Sequence, residues 1–207
     1  KRMAYGALDI DMVAGPSEVL VIADGTAEAK FVAADLLSQA EHDKLASAVL
    51  LTSSMELARA VDAEIIRQTG YLSRSEIMEC SLRDFGCAIV CDSLNDCAAL
   101  ANEIAPEHLE IVTADPRALL PKIENAGAVF LGSWSPEPLG DYLAGPDHVL
   151  PTSGTARFFS PLSVDSFLKT MSVIQYDRES LDPPTPIPSG CGLRRRESDG
   201  SSCVSKR

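Results

Sequence analysis

The sequence predicts an α/β fold in which a mostly parallel sheet carries helices on both faces. Short, continuously apolar segments alternate along the chain with longer segments that have the apolar spacing of helices. Strands that are apolar throughout are typical of parallel sheets covered on both sides. The repeated order of strand, helix and strand is the unit from which such sheets are built.

The first predicted strand is Glu18–Asp24, and a helix over residues 27–42 follows it. The other strands are predicted, in order, at residues 47–51, 87–91, 109–113 and 128–131. The other helices are predicted at residues 54–69, 73–84, 93–104, 116–125 and 162–171. Ser73 and Glu76 form a capping-box pattern, and Pro116 suits a first helical turn. In sheets of this kind ligands bind at the carboxyl ends of the strands, and we expect the same here.

Composition and charge exclude several functional classes. The 207 residues are 45% hydrophobic, which is ordinary for a folded domain, and their net charge is −12. This acidity argues against nucleic acids and anionic membranes as partners. No apolar segment reaches the length of a membrane span. The six cysteines lack Cys-x-x-Cys spacing, so we expect free thiols and a cytoplasmic location.

Gln39 and His42 close the first predicted helix and lie three residues apart. On a helix they would share one face, where they could bind a metal ion or hydrogen-bond a ligand. The alternative is a helix end followed by a surface histidine.

Glu107 and His108 are adjacent and follow Pro106 at the boundary between a predicted helix and a predicted strand. Both side chains titrate near neutral pH when desolvated, which suits general acid-base catalysis. The alternative is a turn with a solvated glutamate and a histidine packed beneath a loop.

The long loop after the last predicted strand contains Trp134, Asp141 and His148. Long ordered loops after strands often bind ligands. Asp141 is a candidate metal ligand, although an aspartate in a loop is also a common turn former. We interpret His148 as a structural, hydrogen-bonding residue.

Four separated stretches, in this order and spacing, resemble the histidinol dehydrogenase family. They are residues 11–18, 35–42, 106–109 and 132–152. The resemblance covers about residues 5–180 and implies an incomplete Rossmann-like sheet, because members of the family are much longer than this chain.

The resemblance also implies a division of the chain into four regions. Residues 1–18 would end an NAD-binding lobe, and residues 19–160 would form an incomplete catalytic Rossmann-like lobe. Residues 161–181 would begin a C-terminal helical arm. Residues 182–207 are rich in proline at first and lack apolar periodicity, so we predict a disordered or foreign tail.

The function that the resemblance implies is the zinc- and NAD-dependent oxidation of L-histidinol to L-histidine through a bound aldehyde, in histidine biosynthesis. Gln39, His42 and Asp141 would be zinc ligands, and Glu107 and His108 would be the acid-base pair. The residues implied in substrate binding are Ser17, Gln39, His42, His108 and Asp141.

A homodimer is implied as well, in which a histidine near the C-terminus supplies the fourth zinc ligand. No histidine follows His148, so we expect the chain to be inactive on its own. An alternative function is the oxidation of another small polyol by a related zinc- and NAD-dependent dehydrogenase. Ala105 stands where the family usually has glycine, and we expect it to tighten the turn before Pro106.

Overall fold

The computed structural model describes residues 1–177, so the prediction for residues 182–207 lies outside this range. The chain divides into two units, Lys1–Leu168 and Lys169–Arg207. All strands and helices of the described residues belong to the first unit, and residues 169–177 form neither. None of the helices within residues 1–177 is long and apolar enough to cross a lipid bilayer.

The strands and helices of the described residues alternate along the chain as predicted. The strands are β1 (Glu18–Ala23), β2 (Ser47–Thr52), β3 (Gly86–Val90), β4 (His108–Val112) and β5 (Ala128–Leu131). The α-helices are α1 (Ala29–Ala40), α2 (Met55–Thr69), α3 (Ser75–Phe85), α4 (Leu94–Ile104), α5 (Pro116–Leu119) and α6 (Glu137–Tyr142). Short 3₁₀ helices occur at Leu120–Lys122, Thr155–Arg157 and Val164–Phe167.

The five strands form one parallel sheet in the order β3-β2-β1-β4-β5. This arrangement confirms the predicted α/β class. The connection from β3 to β4 carries the chain across the sheet, so β1 and β4 become neighbours at its centre. In their register Val19 lies opposite His108, and Val21 lies opposite Glu110.

The side chains of β1 alternate between two apolar cores, one on each face of the sheet. Val19, Val21 and Ala23 pack with α1 and α2, and Leu20 and Ile22 pack with α4. Each of the larger aliphatic side chains contributes roughly 1.5–3 kcal/mol when it is fully buried. The two cores confirm that helices cover both faces of the sheet.

The edge strand β3 and the helix after β4 differ from the prediction. Most residues of β3 are exposed, whereas the sequence predicted a strand buried on both faces. The helix predicted over residues 116–125 is α-helical only over Pro116–Leu119 and continues as the 3₁₀ turn Leu120–Lys122. Pro121 explains the change, because it has no N–H for the helical hydrogen bond and its ring crowds the preceding turn.

Two further local predictions were wrong. Helix α3 is capped at Arg74 without a side-chain hydrogen bond, so the capping box predicted at Ser73 does not form. The helix predicted over residues 162–171 is reduced to the 3₁₀ turn Val164–Phe167. In addition, the segment after Gly132, predicted as a loop, contains the short helix α6.

Candidate active site

The candidate residues converge at the amino ends of the two central strands. Glu18 begins β1, and Glu107 and His108 stand at the start of β4. Helix α1 connects two parallel neighbours and therefore runs antiparallel to them, which returns Gln39 in its last turn to the same end of the sheet. The site thus lies at the opposite end from the one that the sequence predicted.

The carboxyl ends of β1 and β4 are occupied by the hydrogen bonds of Asp24. Its carboxylate accepts from both the N–H and the hydroxyl of Thr26, and from the N–H of Ala114. These bonds close the turn after β1 against the segment after β4. The general tendency of ligands to bind at carboxyl ends therefore does not apply to this pair of strands.

The backbone of Glu18 contacts both members of the predicted acid-base pair. Its N–H donates to Oε2 of Glu107 at 3.0 Å, and its carbonyl oxygen lies 3.0 Å from Nδ1 of His108. A carbonyl can only accept, so the Nδ1 atom of His108 carries the hydrogen. The Nε2 atom of His108 then has a free lone pair, and this buried atom has no hydrogen-bond partner within the described residues.

Burial keeps His108 neutral. Removal from water lowers the pKa of its imidazole, and the nearby His42 lowers it further. The carbonyl of Glu18 and the carboxylate of Asp141 act in the opposite direction without reversing the shift. A neutral imidazole with Nδ1 anchored and Nε2 free is the form of histidine that accepts a proton.

Burial also brings the pKa of the Glu107 carboxyl group close to neutral pH. Desolvation raises its pKa to about 7, although the N–H of Glu18 stabilises the charged form. The hydroxyl of Ser17 is a further hydrogen-bond partner of this carboxylate and lowers the pKa as well. Ser17, predicted to bind substrate, therefore lies directly beside Glu107. A carboxyl group with a pKa near 7 can serve as either acid or base.

Glu137 and Asp141 approach His108 from the short helix α6. They are four residues apart, so they lie on one side of the helix. Oε1 of Glu137 lies 3.8 Å from Nε2 of His108. Desolvation and the neighbouring Asp141 raise the pKa of Glu137 to about 7. Sequence reasoning missed Glu137 as a site residue, and its spacing from Asp141 was the signal that could have revealed it.

The side chains at this point suit a divalent cation. One ligand atom each from His108, Glu137 and Asp141 lie within 4.8 Å of one another. Imidazole nitrogen and carboxylate oxygen are ligands that zinc and other divalent transition ions accept. The buried Nε2 of His108, which has no partner in the described residues, agrees with a site shaped for an ion or a polar ligand.

The other two predicted metal ligands lie at the end of α1 and just after it. Gln39 is buried in the last turn, whereas His42 is exposed beyond the capping residue Glu41. The helix predicted to reach residue 42 ends at Ala40, so the two side chains do not share one helical face. His42 is near enough to lower the pKa of His108 but lies outside the group with ligand atoms within 4.8 Å. The predicted zinc ligand set remains a prediction.

The first and last stretches of the resemblance meet next to the acid-base pair. The N–H of Gly15 donates to Oγ1 of Thr152 at 2.6 Å, and the N–H of Ser153 donates to Oε1 of Glu18 at 3.1 Å. These bonds fasten the loop after α6 to the turn before β1. His148, predicted to be structural, is exposed in this loop and forms no hydrogen bond within the described residues.

Two further carboxyl groups, those of Asp35 on α1 and Glu110 on β4, lie next to Glu137. Glu110 is only 2% exposed, and its Oε1 accepts the N–H of Glu137 at 3.0 Å. Its carboxyl group is also within hydrogen-bonding range of the Asp35 carboxyl group on α1. Desolvation raises the pKa of both groups, and the proximity of the two carboxyls raises that of Glu110 further.

A cavity of about 500 Å³ opens beside Asp141, between β5 and the segment that contains α6. Its lining is mostly apolar and includes Phe130, Leu139 and Pro146. Ligand-binding cavities commonly combine such a lining with a few polar groups at one end, and Asp141 supplies a polar group here.

A buried Glu–His pair beside metal-capable side chains on a parallel α/β sheet is typical of an enzyme active site. The sequence model of the family "Histidinol dehydrogenase" matches residues 1–187. The chain belongs to the histidinol dehydrogenase family, which is a family of oxidoreductases.

Individual relatives show the same relationship. Histidinol dehydrogenase from Caldanaerobacter subterraneus subsp. tengcongensis is 65% identical over 181 residues, which are 87% of this chain and 42% of the relative. The enzyme from Bacillus subtilis is 56% identical over 182 residues, 88% of this chain and 43% of the relative. The chain thus spans less than half the length of these curated relatives.

A solved structure supports the fold independently. The crystal structure of histidinol dehydrogenase from Elizabethkingia anophelis superposes with a TM-score of 0.75 at 46% sequence identity. The matched region covers 77% of this chain and 36% of the solved chain.

Proposed function

We propose that the protein to which this chain contributes oxidises L-histidinol to L-histidine through a bound aldehyde, as a homodimer that uses NAD and zinc. Family membership and the names of the relatives support this substrate. The observation that carries the proposal is the state of His108. Its Nδ1 is anchored to the carbonyl of Glu18, and its Nε2 is a buried base without a partner in the described residues.

His108 would act as the general base of both oxidations. Its Nε2 would accept the proton of the substrate hydroxyl in the first oxidation and a proton of the hydrated aldehyde in the second. When bound, NAD would take up the hydride that the substrate carbon loses at each stage. The lowered pKa of His108 supports this role, because the imidazole is neutral and ready to accept a proton at neutral pH.

Glu107 would act between the two oxidations, when water adds to the bound aldehyde. Its carboxylate would accept a proton from the attacking water, which makes the oxygen more nucleophilic. A pKa of about 7 supports the role, since an appreciable fraction of the group is ionised at neutral pH. The Glu18 N–H and the Ser17 hydroxyl orient this carboxylate, and Ser17 would also contact the substrate.

Gln39, His42 and Asp141 would hold zinc and, with it, the substrate. When bound, zinc would keep the amine and imidazole nitrogens of histidinol in register with the acid-base pair. Asp141 is the ligand with the strongest support, because its carboxylate lies in the group of metal-capable side chains described above. Gln39 is buried at the same end of the sheet.

A chimeric enzyme tests this proposal. Since the chain covers 42% of the Caldanaerobacter relative, the matching 181-residue stretch of that enzyme can be replaced by the stretch of this chain. We expect the purified, zinc-loaded chimera to form two NADH for each L-histidinol and to elute as a dimer. A soluble chimera that contains zinc but produces no NADH from L-histidinol would contradict the proposed substrate.

A panel of small polyols and amino alcohols tests the alternative substrate class in the same assay. We expect L-histidinol to have the highest kcat/KM, because it alone offers an amine and an imidazole to the metal. Faster oxidation of a polyol that lacks both nitrogens would favour the alternative.

A further inference from the structure

Glu110 stands where the three segments that carry the site residues meet. It belongs to β4, two residues after His108, so both side chains project from the same face of the sheet. Its carboxyl group pairs with that of Asp35 on α1, and its Oε1 accepts the N–H of Glu137 at the start of α6. The buried side chain of Glu110 therefore connects its own strand, β4, to both α1 and α6.

The partners of Glu110 stand in a fixed relation to the candidate ligands. Asp35 precedes Gln39 by four residues on α1, so the two side chains lie on the same side of that helix. Glu137 precedes Asp141 by four residues on α6. Because Glu110 holds Asp35 and the backbone of Glu137, it fixes the rotation of α1 and the position of α6 relative to His108.

Burial makes these contacts selective for one arrangement. Glu110 is 2% exposed, and water cannot easily replace either of its partners. The carboxyl group of Glu110 has two oxygens, so it can contact the carboxyl group of Asp35 while its Oε1 accepts the N–H of Glu137. A shift of either helix would leave a polar group buried without a partner, which is unfavourable.

We propose that Glu110, together with Asp35, is a positioning residue that sets the distance between the ligand groups on α1 and those on α6. The unpartnered Nε2 of His108 lies 3.8 Å from Oε1 of Glu137 and marks the place beside α6 where a bound ion or substrate would use this spacing. This inference rests on the proposed function only in its statement of what the spacing is for. The contacts of Glu110 with the Asp35 carboxyl group and with the Glu137 N–H form a tie between α1 and α6, and this tie is independent of that function.

Amide hydrogen exchange of the 207-residue chain, measured by NMR, tests the tie directly. In the unaltered chain we expect slow exchange at the Glu137 amide. Glu110→Leu should accelerate it at least tenfold, whereas Glu110→Gln should preserve the protection. The glutamine amide can donate to Asp35 while its oxygen still accepts the Glu137 N–H. Val112→Ala, on the same face of β4, is the control for general loss of core packing and should leave the Glu137 amide protected.

Zinc titration of the same variants, made in the chimeric enzyme, tests what the tie positions. Loss of a residue that orients ligands typically weakens metal binding about 10- to 100-fold. We expect such a loss in Glu110→Leu and in Asp35→Ala, and an affinity within about threefold of the unaltered chimera in Glu110→Gln. Asp35→Ala should leave the Glu137 amide protected, because the bond from that amide to Glu110 does not involve Asp35.

The outcomes separate this inference from the proposed function. If the unaltered chimera takes up no zinc, the proposed metal site fails, and the tie is still judged by exchange at Glu137 in the 207-residue chain. Equal exchange in the unaltered chain and in Glu110→Leu would overturn the tie, and so would loss of protection in Glu110→Gln. If Glu110→Leu does not fold, unchanged zinc affinity in Asp35→Ala would overturn the positioning role.

Discussion

The Nδ1 atom of His108 lies 3.0 Å from the carbonyl oxygen of Glu18, across the pairing of the two central strands. The partner is a backbone atom at the first residue of β1, so the strand pairing itself fixes the tautomer of the histidine. The neighbouring N–H of Glu18 holds Glu107 in the same way. The register of β1 and β4 therefore orients both members of the proposed acid-base pair.

Replacement of His108 should separate proton transfer from metal binding. In the chimeric enzyme we expect His108→Gln to lower kcat by roughly 10²–10⁴-fold, because a positioned general base is lost. The zinc content should not change if Gln39, His42 and Asp141 are the ligands. Steady-state kinetics and metal analysis of the same preparation measure both, and Glu79→Gln on the exposed side of α3 is the control. Loss of zinc together with activity would instead make His108 a ligand.

The rate of the aldehyde oxidation should depend on pH through the ionisation of Glu107. Its pKa is raised to about 7, and the carboxylate is the active form, so the rate of aldehyde oxidation should rise as the pH increases through about 7 and then level off. His108, whose pKa is lowered, is already neutral in this range and should not oppose the trend. We expect Glu107→Gln to abolish this rise in a pH profile with the aldehyde as substrate. A profile of the variant that keeps the same midpoint would assign the ionisation to another group.

Gly140 should be essential for the position of α6. A Cβ atom at this residue would lie 2.6 Å from Cε1 of Phe130 on β5, so either the Phe130 ring or α6 would have to move. We expect Gly140→Ala to lower the free energy of unfolding by about 1–3 kcal/mol in urea denaturation and to weaken zinc binding. Gly25→Ala is the control, because its nearest neighbour would be Oγ of Ser54 at an ordinary 3.7 Å. Equal stability of the two variants would show that the helix is not confined by Phe130.

Ala105 should be a site where glycine is stabilising. This buried residue caps α4 in the left-handed region, with a φ angle of 55°, where an alanine Cβ is strained. The strain of roughly 1–2 kcal/mol outweighs the greater freedom of glycine in the unfolded chain, so Ala105→Gly should raise the free energy of unfolding by about 0.5–1 kcal/mol. Ala34→Gly, in the middle of α1, should have the opposite effect. Destabilisation by both substitutions in urea denaturation would contradict the strain at Ala105.

The order of strands and helices was predictable because it depends on local apolar patterns such as that of Glu18–Ala23. Local chemistry also led to the prediction that Glu107 and His108 form an acid-base pair, since the two side chains are adjacent. The end of the sheet at which they lie was also contained in the predicted elements, because both residues precede the strand predicted at residues 109–113. The general tendency of ligands to bind at carboxyl ends gave the wrong expectation, since Asp24 occupies the carboxyl end of β1.

Residues whose roles depend on contacts distant in sequence escaped the prediction. In the sequence Glu110 is an unremarked polar residue within a predicted strand. Only its contacts with Asp35 and the Glu137 amide show that it lies next to the site residues. Glu137 lies in a segment rich in proline and glycine that predicts a loop, although it forms the first turn of α6. Such residues became identifiable only when the segments were brought together in space.

The protonation state of the His108 ring is the most direct test of the central claim, that β1 holds this residue as a neutral base. The ¹⁵N shifts of the three histidines can be recorded at neutral pH, and the signals of His108 are assigned by their loss in His108→Gln. We predict a neutral ring with the hydrogen on Nδ1 and none on Nε2. A hydrogen on Nε2, in either the other neutral tautomer or the imidazolium, would contradict the account.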